Sequence, residues 1–151
     1  MTDLKIGADG KIIGAADYSF FDTPKAGGDD RLMQIEKRLK GKDIILYFQT
    51  NSDKLNFTAN QRKDFDDIIY YLQRKNGSNI STVGHTDNVG NASTNRRLSR
   101  KRAEFVKEYL AKNNIKSNQI KVDFKGPDQP MVPNTSDENR AKNRRVVVRL
   151  N

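Results

Sequence analysis

Two residues fifteen positions apart offer this sequence its clearest chemistry. Asp87 lies in "TVGHTDNVG", bracketed by Gly84 and Gly90, and Arg102 lies in "LSRKRAEFVKEYL". On a helical wheel of roughly 100° per residue counted from Leu98, Arg102 falls near 40°, within the apolar arc of Phe105, Tyr109, Val106 and Leu110. Asn95 falls near roughly 60° on the same face. A guanidinium aimed at a core needs a carboxylate or a wet cavity, because an unpaired buried charge costs several kcal/mol. Asp87, in the loop that enters the helix, is the nearest partner by chain logic. Two readings follow. The pair is a structural salt bridge fastening loop to helix, or it is a site for a ligand with both charges. A zwitterionic amino-acid end fits the second reading, its ammonium on Asp87 and its carboxylate on the forked Arg102.

Other chemistries find little support. His85 is the only histidine and cysteine is absent, so a zinc site would need several carboxylates. There is no G-x-S-x-G elbow and no carboxylate pair spaced for hydrolysis. The chain is therefore expected to be no enzyme and to need no metal or cofactor. Hydrophobic residues make up 34% of the 151, and no stretch is apolar and long enough for a membrane-spanning helix. The net charge is +9. Residues 1–90 hold 13 basic and 13 acidic residues and residues 91–151 hold 15 and 6, so the whole excess sits in the second part. A basic half implies either an anionic partner or a solvated charged face.

The elements that must position Asp87 and Arg102 read as follows. Residues 1–28, rich in Gly and Asp, form a flexible tether with apolar spots at Ile12-Ile13 and Phe20-Phe21. Residues 29–151 form one domain. A short helix covers about 29–40, capped by Asp29 or Asp30 and stopped by Gly41. "DIILYFQT" is a strand suited to burial on both faces. Thr58 and Gln61 open a helix with capping-box spacing, and Phe65, Ile68, Ile69 and Leu72 form its stripe. "ISTVGHT" is a strand, and a second long helix follows with Ser93 or Thr94 as cap. "QIKVDFKG" alternates as a strand, "ENRAKN" holds a helical turn, and "RRVVVRL" closes the domain as a strand. The order β-α-β-α-β-(short α)-β predicts an α/β (α+β) two-layer sandwich. It has a four-stranded mixed sheet with both long helices on one face, plus the short N-terminal helix.

Four motifs stand in order on these elements: "YFQTNSDKL", then G-H-T-D-x-x-G, then L-S-x-x-R-A, then N-R-R-V. Over roughly Ile44 to Leu150 the chain resembles the OmpA-like peptidoglycan-binding domain of outer-membrane porins, peptidoglycan-associated lipoproteins and flagellar stator proteins. The resemblance implies non-covalent binding of the cell wall through the diaminopimelate side chain of the stem peptide. It places the binding aspartate on Asp87 and the binding arginine on Arg102, with Thr86 and Asn95 lining the same pocket. Asn51 joins them past the first strand, and Arg144 and Arg145 match the basic pair near the site. Strand alternation should send only one of that pair to the pocket. His85 is expected to order the loop by hydrogen bonding.

The resemblance further implies a periplasmic location in a Gram-negative envelope. The chain is then an excised portion of a parent outer-membrane or envelope protein that anchors its membrane or complex to the wall. A weak homodimer is compatible with this. The competing reading is a basic module for nucleic acid or anionic surfaces, with Asp87–Arg102 as a structural salt bridge. No nucleic acid is expected, because Phe105, Tyr109 and Phe124 are assigned to core faces and leave no stacking platform.

Overall fold

The computed structural model describes residues 29–151 in full, together with the backbone of two strands before them. The chain divides into two compact units, Met1–Gln34 and Ile35–Asn151. In the first, β1 (Lys5–Ala8) and β2 (Lys11–Asp17) pair antiparallel, with Lys5 opposite Gly14 and Ala8 opposite Lys11. The rest of the expected tether, Phe20-Phe21 included, lies outside the described residues. Helix α1 (Asp30–Leu39) crosses the boundary between the units. Asp29 caps it by accepting the Arg31 N–H at 2.8 Å.

The second unit runs β3 (Asp43–Tyr47), α2 (Ala59–Arg74), β4 (Ile80–Gly84), α3 (Ala92–Lys112), a short 3-10 turn (Ser117–Gln119), β5 (Ile120–Phe124), α4 (Asp137–Asn143) and β6 (Arg145–Leu150). The sheet order is β3-β6-β4-β5, with β4 and β5 parallel and β6 antiparallel to both its neighbours. The last strand therefore slots between the first two of the sheet. This places the β6 start beside the exits of β3 and β4, where the site residues sit.

One face of this sheet is the core. Leu46, Val146, Val148, Leu150 and Ile80 are sealed from solvent there. Helix α2 begins with the predicted capping box: the Gln61 N–H donates to Thr58 Oγ1 at 3.1 Å and the Thr58 N–H donates to Gln61 Oε1 at 3.0 Å. Its buried stripe is Phe65, Ile68, Tyr71 and Leu72. Tyr71 thus takes the inner position expected of Ile69, with its hydroxyl donating to Glu36 Oε2 at 2.6 Å. Phe57 joins α2 to α3, with its ring 4.9 Å from Phe65 and 4.8 Å from Tyr109.

Two local expectations are corrected. β3 is an edge strand with only Leu46 fully buried and Tyr47 47% exposed, so its apolar run is not covered on both faces. The cap of α3 is Asn91, whose Oδ1 accepts the Ser93 and Thr94 N–H groups at 2.8 and 3.2 Å. Asn is as good a cap as Ser, and the chain reaches helical geometry two residues sooner.

Helix α3 lies very close to the sheet. Two of the inward residues midway along it are small, Ser99 and Ala103, both fully buried. Gly84 has an ordinary φ, and a Cβ added there would lie 1.8 Å from the Ser99 carbonyl oxygen. Its role is close approach of α3 to the sheet. Gly90, with φ +92°, does make the turn.

Candidate functional site

The inward arginine is confirmed: Arg102 has no exposed surface. Its Nε donates to the Ser52 carbonyl at 2.8 Å, Nη1 to the His85 carbonyl at 3.0 Å and Nη2 to the Gln49 carbonyl at 3.0 Å. The Phe48 ring centre is 5.3 Å from the guanidinium carbon. One side chain thereby ties the β3 exit to the β4 exit. Asp87 pairs instead with Arg144, whose Nη1 lies 3.1 Å from Oδ2, while Asp87 Oδ1 accepts the Val89 N–H at 3.0 Å. Of the two readings of the pair, the direct Asp87–Arg102 salt bridge is corrected: the ion pair of Asp87 is with Arg144. Two loops leave carbonyls without sheet partners at the helix face, and a guanidinium with five N–H donors meets three of them at once.

Asp87 still acts on Arg102 through space. Burial dominates and pulls the Arg102 pKa down to about 10, while the Asp87 charge opposes that fall. The guanidinium stays protonated at neutral pH. Three of its five N–H groups are committed to backbone.

Arg102 and Asp87 line a cavity of about 70 Å³ together with Thr86, Asn95, Asn51 and Arg144. These are six of the seven residues singled out from sequence. Thr50, Val89 and Leu98 complete the wall and were not foreseen, although Leu98 is the wheel neighbour of Arg102. The Asn95 side chain donates to the Val89 carbonyl at 2.9 Å, and the Thr86 hydroxyl donates to the Asp87 carbonyl at 2.8 Å. Both side chains hold the loop that presents Asp87. Asn51 sits at φ +59°, a left-handed conformation that Asn tolerates better than most residues.

Arg145 is not in this cavity. Alternation along β6 sends it to the other side of the sheet, where Nη2 donates to the Gln129 carbonyl at 3.2 Å. Asn143, which was not singled out, is fully buried and pins the preceding loop. Its Oδ1 accepts the Met131 N–H at 2.8 Å and its Nδ2 donates to the Val132 carbonyl at 2.9 Å. This accounts for an asparagine just ahead of the two arginines.

His85 was expected to order the loop by hydrogen bonding, and the bonds it makes come from its backbone. Its N–H donates to the Arg145 carbonyl at 2.8 Å, its carbonyl accepts from Arg102, and its buried Nδ1 has no partner. Burial, reinforced by the Arg145 and Lys125 charges, lowers the ring pKa from 6.5 to about 4. The folded state thus favours the neutral ring. Its stability is complete above pH 6.5, falls as pH drops from 6.5 to about 4 because the unfolded chain binds the proton first, and levels below that. The loss is at most about 3 kcal/mol. Urea unfolding of wild type and His85→Asn at pH 7 and 4.5 checks this. The wild type should lose more stability than the variant, and equal losses refute the assignment.

Part of the basic surplus lies on the solvent side of α3, where Arg96, Arg97, Arg100 and Lys101 are exposed. Arg96 pairs with Asp128 at 3.1 Å and Arg100 with Glu104 at 3.1 Å. Phe105 and Tyr109 are half-buried and packed against other rings.

Residues 47–144 match the model of the OmpA family. The chain is 34% identical over 98 residues to outer membrane protein A of Bordetella avium, covering 65% of this chain and 50% of that protein. It is 32% identical over 114 residues to the peptidoglycan-associated lipoprotein of Buchnera aphidicola, covering 76% and 64%. It thus spans between half and just under two thirds of these relatives. Among solved structures, the C-terminal domain of Helicobacter pylori MotB superposes with a TM-score of 0.60 at 26% identity, covering 72% of this chain and 84% of that one. The peptidoglycan-associated lipoprotein of Burkholderia pseudomallei gives 0.64 at 23% identity over 71% and 89%, a likeness of fold. By sequence match over most of the domain and by the mixed sheet on which its motifs sit, the chain belongs to the OmpA family.

Proposed function

We propose that this domain binds peptidoglycan non-covalently by gripping the free α-amino-acid end of diaminopimelate in the stem peptide. The observation that carries the reading is the meeting of Asp87, Arg102 and Arg144 around one small polar cavity. Two cations and one anion leave a net positive charge, which suits a carboxylate held by guanidinium N–H groups. The ligand's ammonium competes with Arg144 for Asp87, and Arg144 is then free to add to the carboxylate's donors. Thr86, Asn95 and Asn51 set orientation. The relatives' names, a peptidoglycan-associated lipoprotein and outer membrane proteins, support a wall-anchoring role in the periplasm, within an envelope protein longer than this chain. Each charge-assisted contact contributes roughly 1.5–3 kcal/mol, so one domain binds modestly and many domains on one wall hold by avidity.

Co-sedimentation with purified sacculi tests this. Asp87→Asn keeps the shape and the Val89 contact while removing the charge, and should lower binding by about tenfold or more. Wild-type binding should persist from 50 to 200 mM salt, since a desolvated pocket is screened less than a surface. If Asp87→Asn sediments like wild type and salt abolishes both, attraction by the basic face replaces the pocket.

A further inference from the structure

At the opposite end of β4 from the charged cavity, the chain leaves α2 through the turn Lys75-Asn76-Gly77-Ser78. The Ser78 N–H donates to the Lys75 carbonyl at 3.3 Å, and the Ser78 hydroxyl donates to the same oxygen at 2.7 Å. Gly77 has φ +77°, which suits the third position of a type II turn. Asn76 and Gly77 are both exposed, and a Cβ added at Gly77 would meet nothing within 4 Å. Among the described residues, neither the Asn76 side-chain amide nor the Gly77 N–H has a hydrogen-bond partner. Asn76 is also the only asparagine in the chain that is followed by glycine. It lines a polar groove of about 440 Å³ whose charged groups are Lys75 and Lys116. Lys75 lies 3.4 Å from Glu36, and Lys116 has no ion-pair partner among the described residues.

These features suit an intramolecular reaction. The backbone nitrogen that follows an asparagine can reach its side-chain carbonyl carbon and close a five-membered ring. In most folded chains a bulky next side chain, a hydrogen bond on that N–H or burial from water prevents this, and the turn at Asn76 has none of the three. We propose that Asn76 is a site of spontaneous deamidation in the folded protein. The Gly77 N–H loses its proton to solvent base, and the nitrogen bonds to Asn76 Cγ. The Cγ–Nδ2 bond breaks, and the amide nitrogen takes a proton from water and leaves as ammonia. Water then opens the cyclic imide at either carbonyl, giving aspartate or an isoaspartate whose main chain runs through the former side chain. The nearby ammonium of Lys116 favours the negative charge that develops along this path. The product places a carboxylate in a groove whose own charges are cationic. The isoaspartate form also lengthens the backbone of the turn that Ser78 clasps.

Warm incubation of the full chain at about pH 7 and about pH 9, followed by tryptic mass spectrometry, tests the proposal. Cleavage after Lys75 releases a peptide that begins at Asn76 and also holds Asn79, Asn88 and Asn91, so one set of fragment spectra reads all four. Asn79 and Asn88 precede Ile80 and Val89, whose branched side chains crowd the nitrogen. Asn91 is held as the cap of α3. Asn76 should convert about tenfold or more faster than each of the other three, with both aspartate and isoaspartate formed and a higher rate at the higher pH. Asn76→Gln should keep its amide, because its ring would have six members. A parallel incubation in guanidinium chloride isolates the part played by the fold. The folded chain should convert at a rate within about fivefold of the unfolded one. If Asn76 converts no faster than Asn79 and Asn88, or converts only in denaturant, the proposal is overturned, and neither result bears on the reading of the charged cavity.

Discussion

Arg102→Ala is expected to lower the unfolding free energy by about 3 kcal/mol or more, read from denaturant titration. The change leaves the Ser52, Gln49 and His85 carbonyls without their donor and opens a cavity beneath Phe48. A buried acceptor that loses its partner costs roughly 1–3 kcal/mol, with the three costs less than additive once water enters. Arg102→Lys should recover only part of the loss, because an ammonium lacks the fork that spans two loops. A loss under about 1 kcal/mol for Arg102→Ala would show that solvent replaces the guanidinium freely. The result bears directly on function. Loss of wall binding in an Arg102 variant would report first on folding, so Asp87→Asn is the cleaner probe of the pocket.

Gly84→Ala should be comparably severe, with a loss of about 3 kcal/mol or more and a clear fall in melting temperature. The added methyl meets main chain, with the Ser99 carbonyl oxygen at 1.8 Å and the Ala103 nitrogen at 3.3 Å. No side-chain rotation relieves that contact, so α3 must move away from β4. Asn95 and Arg102 ride on that helix, so ligand binding should fall with stability. Gly90→Ala is the control. Its Cβ meets nothing within 4 Å, but its φ is +92°, so its cost is that of backbone strain alone, about 1–2 kcal/mol. If Gly84→Ala proved no worse than Gly90→Ala, close helix packing would not be what the glycine secures.

The sequence by itself determined much of this protein. The 3.6 period placed the two long helices, apolar runs and one alternating segment placed the four strands, and the capping box at Thr58 and Gln61 set the start of α2. The same helical period showed that Arg102 faces inward, since that follows from residue spacing along a single element. Four motifs in order marked the family. Partners were not legible. Asp87 pairs with Arg144, 57 positions away, and Arg102 reaches carbonyls 50 and 53 positions back. Such contacts depend on β6 inserting between β3 and β4, and local spacing carries no information about strand order. The edge position of β3 and the packing role of Gly84 were hidden for the same reason. Main-chain carbonyls have no side-chain signature, so only the tertiary structure revealed that the inward charge is met by backbone and that Asp87 is left to Arg144.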